Sequence, residues 1–478
     1  MAAEADLHTR SRDAGTAVSV AIVGAGFSGS LLAFHLASSL PPGSRIALIE
    51  RTGRFGTGLA YGTGNPNHLL NVPACGMSAL PDRPDHLVEW LSALPPGTCP
   101  SVPAPMDSGA FVSRRIYGAY VRDLLEEAER AAAGGLVRVT GRVVDLAPAG
   151  DGVVLDLAGG GRIRASRAVL ALGNFEPAPV RVLAAHPGAY RNDPWAPGAL
   201  EGIDPDAAVL LVGTGLTTVD AFVSLLDRGH RGVVYALSRR GLLPRVHAAP
   251  PAPALAAAPD RLPRTAAALV RGLRAAAAAE TARGGDWRAP VDGVRAVARE
   301  LWEGLPDAER ARLLRHARPW WDVHRHRLAP GVAARLRGAT EDGRFRILAG
   351  RLASAEADGE GLAVSFRPRS GGPAEILRVA RAVNCTGPAG DWSRAADPLP
   401  RALLARGLAA PDPLGLGVAV SEHGALLGAD GAPSPALYGV GPVTRARSWE
   451  VTAVPDIRGQ AKALAERIAA DLTARAEP

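Results

Sequence analysis

The chain has 478 residues, of which 47% are hydrophobic and 21% charged, with a formal net charge of +7. That length can bury a large core and points to two domains, while no apolar run approaches the ~20 residues of a membrane span. The arginines are scattered rather than gathered in a basic arm, and Cys75, Cys99 and Cys385 lack ligand or redox spacing, so neither nucleic acid, membrane nor metal is expected as a partner.

Residues 1–17 have no hydrophobic segment of the secretory kind and read as a disordered tail, which with the cysteine usage suits a cytoplasmic protein. Val18 to Val23 then form an apolar run typical of a central parallel strand. Gly24, Gly26 and Gly29 follow as G-x-G-x-x-G. The first glycine permits the tight turn, the second lets a pyrophosphate approach, and the third lets the helix pack closely. A second strand, RIALIE at 45–50, ends in Glu50, 26 positions after Gly24, where an acid accepts hydrogen bonds from a ribose. This unit is expected to hold FAD.

Residues 137–174 alternate apolar and polar positions with glycine turns and read as a three-stranded meander with a return strand at Ala168–Leu172. The stretch VLLVGTGLTTVDAF at 209–222 repeats the first turn, with Gly213 and Gly215 in the first two places and Thr218 in the third. Arg239, 26 positions after Gly213, takes the place that Glu50 has in the first unit, with Arg240 beside it. An arginine there suits a 2′-phosphate that a glutamate would repel, so the second unit is expected to hold NADPH.

Residues 245–330 interrupt the second unit. They include an alanine-rich stretch at 265–282 and an amphipathic helix expected at 287–305, and read as a helical cap. A second meander, 345–387, leads to a strand and Gly387. The expected fold is α/β, with two dinucleotide-binding Rossmann-like domains and the NADPH domain inserted in the FAD domain. The FAD domain spans about 18–200 plus 384–478, the NADPH domain 205–383. His324 to Arg327 (HRHR) have the wrong spacing for a helical metal-ligand pair and read as structural or anion-binding.

Four further stretches carry a family resemblance: GLAYGTGNPNHLLNVPACGMSALPDRPDHLVEWL (58–91), FVSRRIYGAYVRDLL (111–125), WWDVHRHRLAP (320–330) and YGVGPVTRARSWEVTAVPDIRGQA (438–461). With both glycine turns, they resemble the FAD/NAD(P)-binding protein family that includes flavin-dependent L-aspartate N-monooxygenases (nitrosuccinate synthases). The resemblance implies an N-hydroxylating monooxygenase in which NADPH reduces FAD, O2 adds to the flavin as a C4a-hydroperoxide, and oxygen passes to a small amino acid. L-Aspartate, oxidised to nitrosuccinate, is the substrate named first. A different amine or sulfur substrate, and an NADPH-dependent flavoprotein reductase, stay open, as does a homodimer.

For the flavin side, Asn71, Val72 and Met77 lie on a loop that can run along the isoalloxazine ring, and Gly441 on a turn that can bring backbone to the ribityl chain. Phe27, Ser28, Arg51, Leu59, Val143, Gly173 and Val454 complete the expected cofactor contacts. Arg445 and Arg447, and Arg295 on the cap, are expected to grip substrate carboxylates.

Overall fold

Two parallel-cored sheets carry the chain, in a computed structural model that describes residues 16–248, 254–255 and 263–476. In the first sheet, the apolar run at Val18 belongs to β1 (Thr16–Val23), followed by β2 (Ile46–Glu50) and β3 (Leu136–Thr140). A hairpin of β4 (Val143–Ala149) and β5 (Gly152–Leu157) leads into β6 (Arg162–Leu170). The second sheet takes β7 (Tyr190–Arg191), β8 (Val209–Val212), β9 (Val234–Ser238), β10 (Phe345–Asp358), β11 (Gly361–Pro368), β12 (Glu375–Val379) and β13 (Arg381–Asn384). The chain then returns to the first sheet through β14 (Ala425–Leu427) and β15 (Pro433–Gly439).

The strand orders make the repeat visible. The first sheet runs β14-β15-β6-β1-β2-β3 and the second β12-β11-β10-β9-β8-β13-β7. Each has a parallel core in which a glycine-turn strand sits between its successor and a late return strand: β6-β1-β2 in one, β13-β8-β9 in the other. Parallel strands of this kind are buried on both faces, and β1, β2 and β8 are correspondingly apolar. The fold is therefore α/β with two Rossmann-like sheets, the second interrupting the first in sequence.

Several local expectations need correction. Leu136–Thr140 is not part of a meander. It extends the parallel core beside β2, and the antiparallel run is β4-β5-β6. Tyr190–Arg191 pairs with β13, so the chain enters the second sheet before residue 200. Thr16 and Ala17 belong to β1, while residues 1–15 of the expected tail lie outside the described residues. The helix expected at 287–305 is two helices, Arg288–Arg295 and Ala298–Gly304, because Val297 leaves helical geometry at φ −116° and ψ 14°.

The helix Phe27–Ser39 packs between the helix Arg114–Ala131 and the final helix Val454–Ala476 over one face of the first sheet. Tyr117 and Tyr120 are fully buried there, as packing residues. The cap folds back on the body around Leu301, Trp302, Leu305, Leu416 and Trp449. Burying side chains of this size stabilises by about 1.5–3 kcal/mol each. No helix among the described residues is long and apolar enough to cross a membrane.

Candidate functional site

Both glycine turns are shaped by the return strand behind them. Gly24 has φ +105°, and a Cβ there would lie 2.3 Å from the Ala171 carbonyl oxygen just past β6. Gly213 has φ +130°, and its Cβ would lie 2.3 Å from the Cys385 carbonyl oxygen just past β13. Gly29 needs its hydrogen for a different reason: a Cβ would meet the Gly24 carbonyl at 1.9 Å. Thr218, in the equivalent place of the second unit, is fully buried at the start of the helix Leu216–Asp227, and its hydroxyl has no hydrogen-bond partner among the described residues.

At the first turn, the Ala25 N–H donates to Glu50 Oε2 at 3.1 Å. The Thr52 N–H and hydroxyl donate to the other carboxylate oxygen. The acid is thus drawn to the mouth of the turn, where a ribose would compete for it. Phe27 and Ser28 open the helix as buried residues, and Ser28 touches Gly441, whose φ is +76° and whose Cβ would meet Ser28 Oγ at 2.3 Å. The Gly441 N–H donates to Gln460 Oε1 on the final helix at 2.8 Å. Gly441, Ser28 and the final helix, which begins at the buried Val454, therefore meet beside the first turn. Gly173 follows β6 with φ +67° and open space around it, and Val143 is buried at the start of β4. Arg51 and Leu59 are exposed. Asn71 and Val72 are half-buried and Met77 is buried on the loop tied to the final helix by Arg458, whose Nη1 donates to the Ser78 carbonyl at 2.8 Å.

At the second turn, Gly215 starts its helix with nothing within 4 Å of where a Cβ would stand. Arg239 is exposed just past β9, Arg240 is half-buried, and neither has an ion-pair partner among the described residues. A helix N-terminus with free N–H groups and open space in front is a phosphate site. The open approaches to Gly173, Gly215 and Gly387 fit two dinucleotides.

The three expected substrate arginines lie where the cap meets the C-terminal segment. Arg295 Nη2 is 3.0 Å from Asp456 Oδ2, in the first turn of the final helix. Arg447 Nε is 3.1 Å from Glu303 of the cap. Arg445 Nε donates to the Trp449 carbonyl at 3.4 Å, and burial with the nearby Arg318 pushes its pKa down to about 10. Arg295 and Arg445 are brought together around His326, whereas Arg447 is engaged by Glu303.

From sequence alone, HRHR reads as structural or anion-binding and is not joined to the three expected substrate arginines. Arg325 is 5% exposed, with Nε 3.6 Å from Glu450 Oε2, and its Nε and Nη2 have no hydrogen-bond partner among the described residues. Glu450 Oε1 accepts from Trp321 Nε1 at 2.9 Å. Burial holds His326 down at about 3, helped by Arg325, Arg445, Arg295 and Arg318, so its imidazole is neutral at pH 7. Asp322 is pushed up to about 6 by burial, against the pull of Arg318. His326 and Arg445 keep some accessible surface although burial dominates their titration. Arg445 also lines a small pocket with Gly173, Phe175, Trp392 and Gly417, just past β6. The guanidinium groups gathered around His326 make this cluster suited to an anion. The clue in the sequence was HRHR together with a second arginine pair, RAR at 445–447, both within quoted motifs. No group of histidine, cysteine, aspartate or glutamate among the described residues could hold a metal ion.

Residues 21–175 match the family model described as FAD-NAD(P)-binding. The match falls on the first unit and agrees with the dinucleotide site expected there. No curated protein matches the chain in sequence. Among solved structures, the chain is similar to the L-lysine 6-monooxygenase from Pseudomonas syringae, at 14% identity and a TM-score of 0.62, covering 95% of this chain and 100% of that one. It is similar to an ornithine N-hydroxylase from Kutzneria sp. 744, described with reduced FAD, NADP+ and L-ornithine, at 16% identity and a TM-score of 0.60, covering 95% and 99%. The thioredoxin reductase of Lactococcus lactis aligns at 12% identity and a TM-score of 0.51, covering 95% and 99%. At these identities the likeness establishes the shared two-unit fold, and the fold serves more than one chemistry.

Proposed function

We propose that the protein is an FAD- and NADPH-dependent monooxygenase that N-hydroxylates a small amino acid bearing a carboxylate. The observation that carries this reading is the cluster of Arg295, Arg325 and Arg445 around His326, where the cap meets the final helix whose Gln460 holds Gly441 beside the first nucleotide turn. The hydroxylase structures above support it by fold alone.

The residues that would hold FAD are the first turn with Glu50, the Asn71–Met77 loop, Gly441 and the N-terminus of the final helix. Gly215, Thr218 and Arg239 would hold NADPH. Bound together, these cofactors supply reducing equivalents and activate O2. The chain's own part is binding, orientation and exclusion of water. Arg445 and Arg325 would receive carboxylate oxygens through the planar guanidinium fork. Arg295, paired with Asp456, fixes the cap against the final helix. Burial, helped by the surrounding arginines, keeps His326 neutral, so its ring offers one lone pair and one N–H and adds no further positive charge. Shielded from water, an amine is more readily held in its neutral, nucleophilic form. L-Aspartate, with two carboxylates for several arginines, is the substrate proposed first. Disulfide-reductase chemistry is not favoured, because Cys75, Cys99 and Cys385 are free and the latter two are buried.

The test uses the purified flavoprotein with NADPH, O2 and a panel of amino acids, following NADPH and O2 consumption and identifying products by mass spectrometry. An amino-acid-dependent product carrying added oxygen is expected, largest with an acidic amino acid. Flavin reduction by NADPH without oxygenated product from any amine would leave a reductase in its place.

A further inference from the structure

The loop that leads to Asn71 is held by the helix Leu216–Asp227 of the second unit. His68 Nε2 lies 2.8 Å from Ser224 Oγ and 3.0 Å from the Asp220 carbonyl oxygen. Asn65 and Asn67 each donate a side-chain N–H to Asp227 Oδ2, at 2.9 and 3.0 Å. Arg114 Nη1 pairs with Asp220 Oδ2 at 2.9 Å, while its Nε donates to the Leu69 carbonyl at 3.1 Å. Asp220, Ser224 and Asp227 are spaced i, i+4, i+7 and share one face of the helix Leu216–Asp227. That helix starts at Gly215, so Asp220 stands about 7.5 Å along it from the expected phosphate position.

We propose that the Arg114–Asp220 pair, with His68 and Ser224, is a positioning device that couples nicotinamide-nucleotide occupancy of the second turn to the flavin-side loop at Asn71. The inference rests on the two-nucleotide reading above. The other faces of the helix bury Val219, Phe222 and Val223 in the core of the second unit, so the helix moves only with that unit. The polar stripe is its contact with the first unit. Arg114 and Asp220 are nearly buried, with side chains 17% and 11% exposed. A pair so placed is a poor source of stability, because desolvation offsets much of its attraction. What the planar guanidinium does well is fix geometry: one donor holds the aspartate, another holds a carbonyl two residues before Asn71.

A second contact closes the clamp. His247, past β9, has Nε2 2.9 Å from the Asn71 carbonyl oxygen, and its own N–H donates to the Leu328 carbonyl at the end of the cap. Burial holds its pKa near 4, so a neutral ring donates from Nε2 to that carbonyl. The loop at Asn71 is thus gripped by the helix Leu216–Asp227 on one side and by His247, at the start of the cap insertion, on the other. Any change that nucleotide binding makes at the helix start is felt at Asn71, and by linkage flavin contacts there act back on nucleotide affinity.

The test is hydrogen–deuterium exchange on the FAD-loaded full chain, with NADP+ as the added ligand. In the wild type, NADP+ is expected to slow exchange in residues 63–72 at least five-fold. Asp220→Asn should still bind NADP+ and retain FAD, yet lose more than half of that protection, and Asp220→Glu should restore part of it. If Asp220→Asn does not fold, Ser224→Ala, which removes the His68 contact and the longer one from Asn65 at 3.4 Å but leaves the Arg114–Asp220 pair, should move protection in the same direction by less. NADP+ that binds the wild type without changing exchange at 63–72, or protection unchanged in the variants, overturns the coupling. A wild type that binds no NADP+ overturns the two-nucleotide reading itself, and the coupling with it.

Discussion

At the scale of single residues, the glycines divide by what surrounds them. Gly24 and Gly213 hold positive φ and press against a carbonyl oxygen, so they serve the fold whether or not a ligand is present. A side chain there costs about 1–3 kcal/mol in backbone strain before any clash is counted. Gly215 has φ −87°, ordinary for any residue, and nothing within 4 Å of its missing Cβ. Its methyl would intrude only on phosphate space. Gly215→Ala is therefore expected to keep the wild-type Tm while weakening NADPH binding about ten-fold, or ~1.4 kcal/mol. Thermal melting and titration of the holoprotein with NADPH check both halves. A lowered Tm would mean that Gly215 serves the fold. Arg239 offers the complementary measurement. Exposed and free of described partners, it should cost roughly ten- to a hundred-fold in NADPH affinity on change to alanine, through loss of a charge-assisted contact. NADH affinity should be spared, and equal losses for both cofactors would remove Arg239 from the 2′-phosphate role.

At the scale of elements, the glycine turns were legible because their requirements are local: strand, turn and helix start lie within about a dozen residues. β3 was not, since Leu136–Thr140 alternates like a hairpin strand and its parallel pairing with β2 depends on a partner some ninety positions earlier. The break at Val297 was hidden for a related reason. Val291, Val294, Leu301 and Trp302 keep helical spacing on both sides of it, and only packing against the body decides that the helix bends there. The end of the helix Arg318–Arg325 carries a further consequence. His326 has an ordinary pKa near 6.5 when unfolded and about 3 when folded, so between these values the unfolded chain binds a proton that the folded chain refuses. Stability from this group is therefore present near pH 7 and lost as pH falls through 6.5. At pH 5 the loss is about 2 kcal/mol. Asp322, pushed up to about 6, acts in the opposite direction and stabilises as pH falls toward 4. His326→Asn should narrow the difference in Tm between pH 7 and pH 5 relative to wild type. An unchanged difference would mean that the imidazole is not buried neutral.

At the scale of the whole molecule, the cap is tied to the C-terminal segment by contacts among Leu301, Trp302, Leu305, Leu416 and Trp449. The cap is what the sequence showed least well, because its contacts join residues far apart: Arg295 to Asp456, Trp302 to Ala446, Trp321 and Arg325 to Glu450. Trp302 is the hinge of that set. It is 1% exposed, stacks on Trp449 at 5.7 Å with an interplanar angle of 13°, and donates its indole N–H to the Ala446 carbonyl at 2.9 Å. Through these contacts it holds the segment that bears Arg445 and Arg447. Removing a buried tryptophan typically costs 3–5 kcal/mol, and here the loss falls at the seam between cap and body. Trp302→Ala should then loosen the seam, admit water to the arginine cluster and misplace the carboxylate anchors, while FAD stays bound by the first unit. Under the proposed function this separates NADPH oxidation from product formation: NADPH consumption continues, hydrogen peroxide rises, and oxygenated product per NADPH falls several-fold. Trp302→Phe keeps the stacking surface and loses only the indole N–H, so it should lie between alanine and wild type. Flavin content, peroxide and product are measured on the same preparations. Full coupling in Trp302→Ala, with flavin content unchanged, would show that the cap does not seal the site where oxygen is transferred.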